Sequence, residues 1–113
     1  MSTDCIFCRI VAGDIPAAGV AEGDRVMAFE DANPAAPTHV LIVPKEHRAE
    51  SVADPEAAGL MGEIVELARS IAADRGLQGG WRLVTNVGPD AGQSVYHLHV
   101  HLLGGRSMSW PPG

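Results

Sequence analysis

In "VYHLHVHLLGG", residues 95–105, three histidines occupy alternate positions, as His97, His99 and His101. Alternate side chains of a β-strand point to the same face, with about 6.6 Å between them. We therefore expect a strand that carries the three imidazoles on one face and the intervening leucines and valine on the other. One face of this strand is predicted to enter the core, and the other is free for chemistry.

The rest of the chain predicts short strands around a single long helix. Two strands surround a turn at residues 22–24, a further strand ends at Pro44, and "WRLVTNVG" (81–88) precedes the histidine strand. Apolar residues recur every three to four positions from about Ser51 to Arg75, which predicts a helix begun by Ser51 or Asp54 and ended at Gly76. The expected fold is α+β, an antiparallel meander with one long helix packed on it.

Composition narrows the classes of protein that this chain can belong to. Its 113 residues, 46% of them hydrophobic, suit one packed domain over residues 1–113. The net charge of −6 without a basic cluster argues against nucleic acid or an anionic membrane as a partner. The amino-terminal residues resemble no export signal, and no apolar run is long enough to span a membrane, so we expect a cytoplasmic protein.

The histidine row permits a metal site, a nucleophilic site or a plain structural face. The loop just upstream, "GPDAGQS" (88–94), helps to choose between them. Successive amide groups around Gly92, Gln93 and Ser94 could form an anion-binding nest, and Ser94 adds a hydroxyl three residues before His97. The combination favours phosphate chemistry over a bare metal site.

The second candidate site is "CIFC", residues 5–8. In a reducing compartment, Cys5 and Cys8 are predicted to bind metal rather than to form a structural disulfide. Two histidines would complete a closed zinc site. Alternatively, the two cysteines could remain unligated or could act as a redox pair. The redox hypothesis is weakened because no βαβ pattern surrounds them.

Four stretches of the sequence carry a family resemblance. "HLHVHLL" fits the histidine-triad pattern. The longer stretches "AFEDANPAAPTHVLIVPKEH" and "GQSVYHLHVHLLGGR" and the terminal "WPPG" resemble one branch of the proteins that share this pattern. The chain thus resembles the histidine-triad family, in its HINT-type nucleotide-binding branch, over nearly its whole length. The sister branch of dinucleoside polyphosphate hydrolases shares the triad, but "LGGR" and "WPPG" fit the HINT type better.

The resemblance implies a homodimer with joined sheets that hydrolyses purine nucleoside phosphoramidates, conjugates of AMP or GMP. It makes His99 the nucleophile on phosphorus, places His101 at the α-phosphate and adds His39 to the catalytic cluster, with Ser94 assisting. The resemblance further implies a set of nucleotide-binding residues: Asp31 at the ribose, Asn86, Gly92, Gln93, Ser94 and His101 around the phosphate or leaving group, and Trp110 across the dimer.

The resemblance also implies a structural zinc. Members with two cysteines at this place look like zinc carriers, with Cys5, Cys8, His47 and His97 as the ligands. Two rival functions stay open beside the phosphoramidase: a metal-dependent enzyme that uses the histidine row as ligands, and a nucleotide-binding interaction module without turnover.

Trp110 is a separate clue to assembly, because it follows the last predicted strand in a short tail that cannot cover an indole. It is expected to pack either on its own core or, as the resemblance implies, across a dimer.

Overall fold

The computed structural model describes residues 4–113, so the first three residues of the predicted domain lie outside it. It contains two α-helices and one five-stranded sheet. The helices are α1 (Ile6–Val11) and α2 (Ala58–Asp74), and the strands are β1 (Gly19–Glu22), β2 (Val26–Glu30), β3 (Thr38–Pro44), β4 (Trp81–Val84) and β5 (Val100–Gly104). Short 3-10 turns cover Pro55–Ala57 and Pro89–Ala91. None of the helices within residues 4–113 is both long and apolar enough to cross a membrane.

The sheet is antiparallel throughout, with the order β1-β2-β3-β5-β4. The first three strands form a meander, as expected. After β3 the chain runs through α2 to the outer strand β4, and it then returns so that β5 lies between β3 and β4. The predicted α+β class with one long helix is confirmed, and the crossover brings the histidine strand next to the centre of the sheet.

The main core lies between the sheet and α2. Val40 and Ile42 of β3 are fully buried there, together with Ile64 on α2. Leu98, Val100 and Leu102 belong to the same cluster, which confirms the predicted apolar face of the histidine stretch. The apolar spacing of α2 is thus explained by its packing against one face of the sheet.

A smaller apolar cluster lies on the opposite face. It consists of Phe29, Leu41 and Val43 from the strands and Phe7 from α1. Because α1 covers this face, β3 is buried on both sides. The sequence analysis did not predict α1, since six residues are too few to show a helical period; the Cys5 side chain accepts from the Cys8 amide and caps its start.

Three element boundaries were predicted wrongly. The long helix begins at Ala58 rather than near Ser51, because the Asp54 carboxylate accepts from the amides of Glu50 (2.6 Å) and Ser51 (3.3 Å) and closes a turn instead of capping the helix. Gly76 does end the helix region with a positive φ of 68°. The strands predicted over residues 81–88 and 95–105 are both shorter than expected: β4 ends at Val84 and β5 begins only at Val100.

Candidate active site and metal centre

His99 has a ring orientation fixed by the backbone of its own segment. Its Nδ1 lies 2.8 Å from the carbonyl oxygen of His97. A carbonyl can only accept, so Nδ1 carries the hydrogen, and the lone pair of the neutral imidazole lies on Nε2. Within residues 4–113, Nε2 has no hydrogen-bond partner and no buried side-chain nitrogen or oxygen is left unpaired, so this atom reaches solvent. His99 thus presents an unprotonated nitrogen outward.

A chain of three side chains fixes His101 next to it. The Ala35 amide donates to Nδ1 of His39 (2.9 Å), so the hydrogen of neutral His39 is on Nε2. That Nε2 lies 2.9 Å from Nδ1 of His101 and 3.3 Å from a carboxylate oxygen of Asp31. Nδ1 of His101 accepts, and its own hydrogen is therefore on Nε2. The ring centroids of His101 and His99 are 5.2 Å apart, so the imidazole with a lone pair on Nε2 and the imidazole with a hydrogen on Nε2 are direct neighbours.

Burial keeps His101 neutral. It lowers the pKa of the imidazole to about 4, helped by the neighbouring His99 and His39 and opposed by Asp31. At neutral pH this side chain is accordingly a hydrogen-bond donor without a charge. The sequence analysis predicted the cluster of three histidines, and the structure brings them together, with Asp31 added at its edge.

The donor atoms of Asp31, His39 and His101 lie within 4.8 Å of one another, close enough for a metal ion. The hydrogen bonds argue against that use. To bind a metal there, His39 would have to offer a lone pair on Nε2. Because Nδ1 accepts from the Ala35 amide, the hydrogen of the neutral ring is on Nε2, and that nitrogen has no free lone pair. The arrangement disfavours metal binding at this cluster, which includes only His101 of the histidine row.

The loop before the histidines is built around glycine, but it does not form the predicted anion-binding nest, because the amides of Gly92 (3.0 Å) and Gln93 (3.1 Å) donate to the carbonyls of Pro89 and Gly88. Gly92 has a φ of 84°, a left-handed conformation that other residues rarely adopt. The side chain of Gln93 is buried, and its Oε1 accepts from the Gly88 amide (2.9 Å) while its Nε2 donates to the carbonyls of Glu50 (2.7 Å) and Val95 (3.1 Å). Both hydrogens of the Gln93 side-chain amide are used inside the protein, so this side chain holds the loop in place and has none left to donate to a ligand. Ser94 is exposed and Asn86 half-buried.

The second cluster is formed by Cys5, Cys8, His47 and His97, whose ligand atoms all lie within 4.8 Å of one another. His97 Nε2 donates to the Pro44 carbonyl (2.9 Å), which leaves the lone pair of Nδ1 facing the sulfurs of Cys5 (3.3 Å) and Cys8 (3.5 Å). His47 Nε2 donates to the Tyr96 carbonyl (2.7 Å), and its Nδ1 lies 3.4 Å from the Cys8 sulfur.

Two thiols and two imidazole lone pairs that converge in this way fit a tetrahedral zinc site. The backbone carbonyls behind both histidines are the outer contacts that fix the tautomers of metal ligands. Burial raises the pKa of the Cys8 thiol to about 11, and the adjacent Cys5 adds to the shift. Without a cation this thiol stays protonated, whereas a bound metal would stabilise the thiolate.

Phe7 connects the two clusters and was missed by the sequence analysis. Its ring packs edge-on against His97 (5.8 Å between centroids) and against His99 (5.0 Å). Its position between the two cysteines of "CIFC" was the only hint that the sequence offered.

The tail is held close to the sheet but leaves its tryptophan free. The Arg106 guanidinium donates to the Ala35 carbonyl (3.2 and 3.1 Å), and Arg82 donates to the Ser109 carbonyl. Trp110 is nevertheless 82% exposed, so within residues 4–113 it does not pack on the core, which was one of the two expected outcomes.

Comparison with known proteins now identifies the family. Residues 12–108 match the family described as HIT domain. The chain belongs to the HIT family. It is 46% identical to the "14 kDa zinc-binding protein" of Zea mays, over 96% of this chain and 87% of the relative, and 43% identical to the "Adenylylsulfatase HINT1" of Arabidopsis thaliana, over 96% and 76%. A solved HIT family hydrolase from Legionella pneumophila superposes with a TM-score of 0.90 at 47% identity, over 97% of this chain and all of the other.

Proposed function

We propose that this HIT-family protein hydrolyses purine nucleoside phosphoramidates through a covalent nucleotidyl-histidine at His99. The observation that carries the proposal is the tautomer of His99, whose hydrogen is committed to the His97 carbonyl so that Nε2 is a free nucleophile. The structural likeness to a HIT family hydrolase supports a hydrolytic activity.

The first chemical step is attack of Nε2 on the α-phosphorus. A P–N bond forms to His99 as the P–N bond to the leaving amine breaks, and the amine departs with a proton from solvent. The Nε2 hydrogen of His101 and the exposed hydroxyl of Ser94 are the donors we assign to the phosphoryl oxygens, where one well-placed donor contributes about 2.7–4 kcal/mol. Because His101 is neutral, it donates this hydrogen bond without carrying a charge of its own.

The second step releases the nucleotide. Water attacks phosphorus opposite Nε2, the P–N bond to Nε2 breaks, the neutral imidazole is regenerated, and nucleoside monophosphate is released with a proton of the water lost to solvent. In this scheme Asp31 and Asn86 bind the nucleoside or phosphate, while Gly92 and Gln93 act through the shape of the loop, because the Gln93 side chain has no hydrogen left to donate.

A P–O–S anhydride is the second candidate substrate, because one relative is named an adenylylsulfatase. The same attack by Nε2 would expel sulfate instead of an amine. We test both with a panel of adenosine and guanosine phosphoramidates, adenylyl sulfate and a dinucleoside polyphosphate, with His99→Asn as the background. The highest kcat/KM on a phosphoramidate supports the proposal; preference for the sulfate or the polyphosphate overturns it, and binding without turnover indicates the interaction module.

We further propose that Cys5, Cys8, His47 and His97 bind one structural zinc, and that the active form is a homodimer. The relative named a zinc-binding protein supports the first. The second is supported by the exposed Trp110 and by β4, which lies at an edge of the sheet. Metal analysis of protein purified without added zinc is expected to find one equivalent per chain, and sedimentation is expected to find a dimer at assay concentration.

A further inference from the structure

The segment that carries the nucleophile is not held by the sheet. Residues 96–99 precede β5, and their peptide groups bond to other parts of the chain. The Tyr96 carbonyl accepts from the His47 ring (2.7 Å), the Leu98 amide donates to Ala49 (2.9 Å), and the His99 carbonyl accepts from the Thr85 hydroxyl (2.8 Å). One of these three anchors, His47, belongs to the cluster formed with Cys5, Cys8 and His97.

His97 joins the cluster to the nucleophile directly. Its imidazole is fully buried between the Pro44 carbonyl and the two thiols, while its carbonyl oxygen accepts from Nδ1 of His99. The carbonyl that sets the tautomer of His99 therefore belongs to the residue whose ring meets the two thiols. The ring and the carbonyl of one residue thus belong to two different sites.

Phe7 provides a second route between the two sites. It is buried, lies on α1 between the two cysteines, and touches both imidazoles with its ring. Since α1 spans only six residues, its position depends on the contacts made by Cys5, which caps its start, and by Cys8 in its first turn. Cys5 and Cys8 meet the two histidines at that place.

We propose that the cluster of Cys5, Cys8, His47 and His97, when it binds zinc, positions the nucleophile. The metal holds α1 against residues 96–99, and Phe7 and the His97 carbonyl transmit that constraint to the ring of His99. Cys8, His97 and Phe7 are then positioning residues for the reaction and not merely parts of a stabilising centre. The inference rests on the proposed role of His99 as nucleophile.

The first test removes the metal from folded protein. We compare the zinc-loaded chain with the chelated chain and with Cys8→Ser, which leaves Cys5 free to cap α1. The expected result is faster amide hydrogen exchange at residues 96–99, a mixture of His99 tautomers by 15N chemical shift, and little change in exchange within α2. Unchanged exchange and an unchanged His99 tautomer after metal loss would overturn the proposal.

The second test keeps the metal and removes the ring, which covers the case in which Cys8→Ser fails to fold. Phe7→Leu is expected to retain one zinc per chain yet to lose about tenfold to a hundredfold in the single-turnover rate at saturating substrate, the scale on which misplacement of a reacting group acts. Val11→Ala is the matched control, since Val11 lies on the same helix and in the same apolar cluster. Equal rates for Phe7→Leu and Val11→Ala would contradict the role of Phe7.

The two proposals fail in different ways. If His99→Asn retained full turnover, the proposed function would be wrong, whereas exchange and tautomer measurements do not depend on any reaction. If His99→Asn is inactive but metal removal leaves the tautomer and single-turnover rate of the wild type unchanged, only the positioning proposal is wrong.

Discussion

His97 and His99 are two residues apart, lie against the same phenylalanine, and each donates to a backbone carbonyl, yet they present opposite ring nitrogens. His97 donates through Nε2 and offers Nδ1 to the two thiols. His99 donates through Nδ1 and keeps Nε2 for solvent. The role of each imidazole is therefore set by the ring nitrogen that bonds to the backbone, because the lone pair on the other nitrogen decides whether the ring meets a metal or an incoming phosphorus.

If this comparison is right, loss of the His99 ring removes activity and leaves stability unchanged. His99→Asn is expected to lose at least about a thousandfold in kcat/KM, because the Asn amide can still donate to the His97 carbonyl but offers no nucleophile. Its melting temperature is expected to stay near that of the wild type. Steady-state kinetics and calorimetry check both, and substantial residual turnover would break the assignment.

His47→Ala is expected to give the converse result for stability. It removes one of the four proposed metal ligands, whose ring also donates to the Tyr96 carbonyl, so zinc content should fall below one equivalent per chain and the melting temperature should drop by about 10 °C or more. Glu46→Ala, on the exposed neighbouring residue, serves as the control with zinc retained. A metal-free His47→Ala protein with the wild-type melting temperature would show that the cluster is not a structural centre.

Acid should destabilise the protein through His101. Its pKa in the folded state is lowered to about 4, below the usual value near 6.5, so the unfolded chain binds more protons between these pH values. The free energy of unfolding is therefore expected to fall, by a few kcal/mol at most, as the pH drops from about 6.5 toward 4. Denaturant titrations in the presence of chelator should show that the free energy of unfolding depends less steeply on pH in His101→Gln than in the wild type. An equal pH dependence in the two proteins would refute the lowered pKa.

The smallest effect is expected from the tail. Deletion of residues 109–113 removes the exposed Trp110 and should change the preference among leaving groups by about tenfold while affinity for the mononucleotide changes little. Sedimentation run alongside tests assembly. A fully active monomer would exclude a role for a partner chain in the site.

Much of the fold could be predicted from the sequence, because hydrophobic periodicity reports directly on packing. The period of α2 and the alternation in residues 95–105 both placed the correct residues in the core. The alternation also implied a longer strand, and there tertiary hydrogen bonds prevailed: the peptides of Tyr96, Leu98 and His99 bond to His47, Ala49 and Thr85 instead of to a strand.

The site divides in the same way. The spacing of His97, His99 and His101 predicted the cluster, but no local pattern states which ring nitrogen carries a hydrogen. Phe7 and the saturated amide of Gln93 depend on contacts between segments far apart in the chain, and a single sequence does not record them.

The proposed reaction requires that Nε2 of His99 becomes bonded to phosphorus. Wild-type protein mixed with an adenosine phosphoramidate and quenched in the pre-steady state should carry one adenylyl group on the peptide that contains residues 95–105. Fragmentation should place it on His99, and 31P–15N coupling should place it on Nε2. An adduct on His101 or His39, or a catalytically competent reaction with no adduct at any time point, would contradict the account.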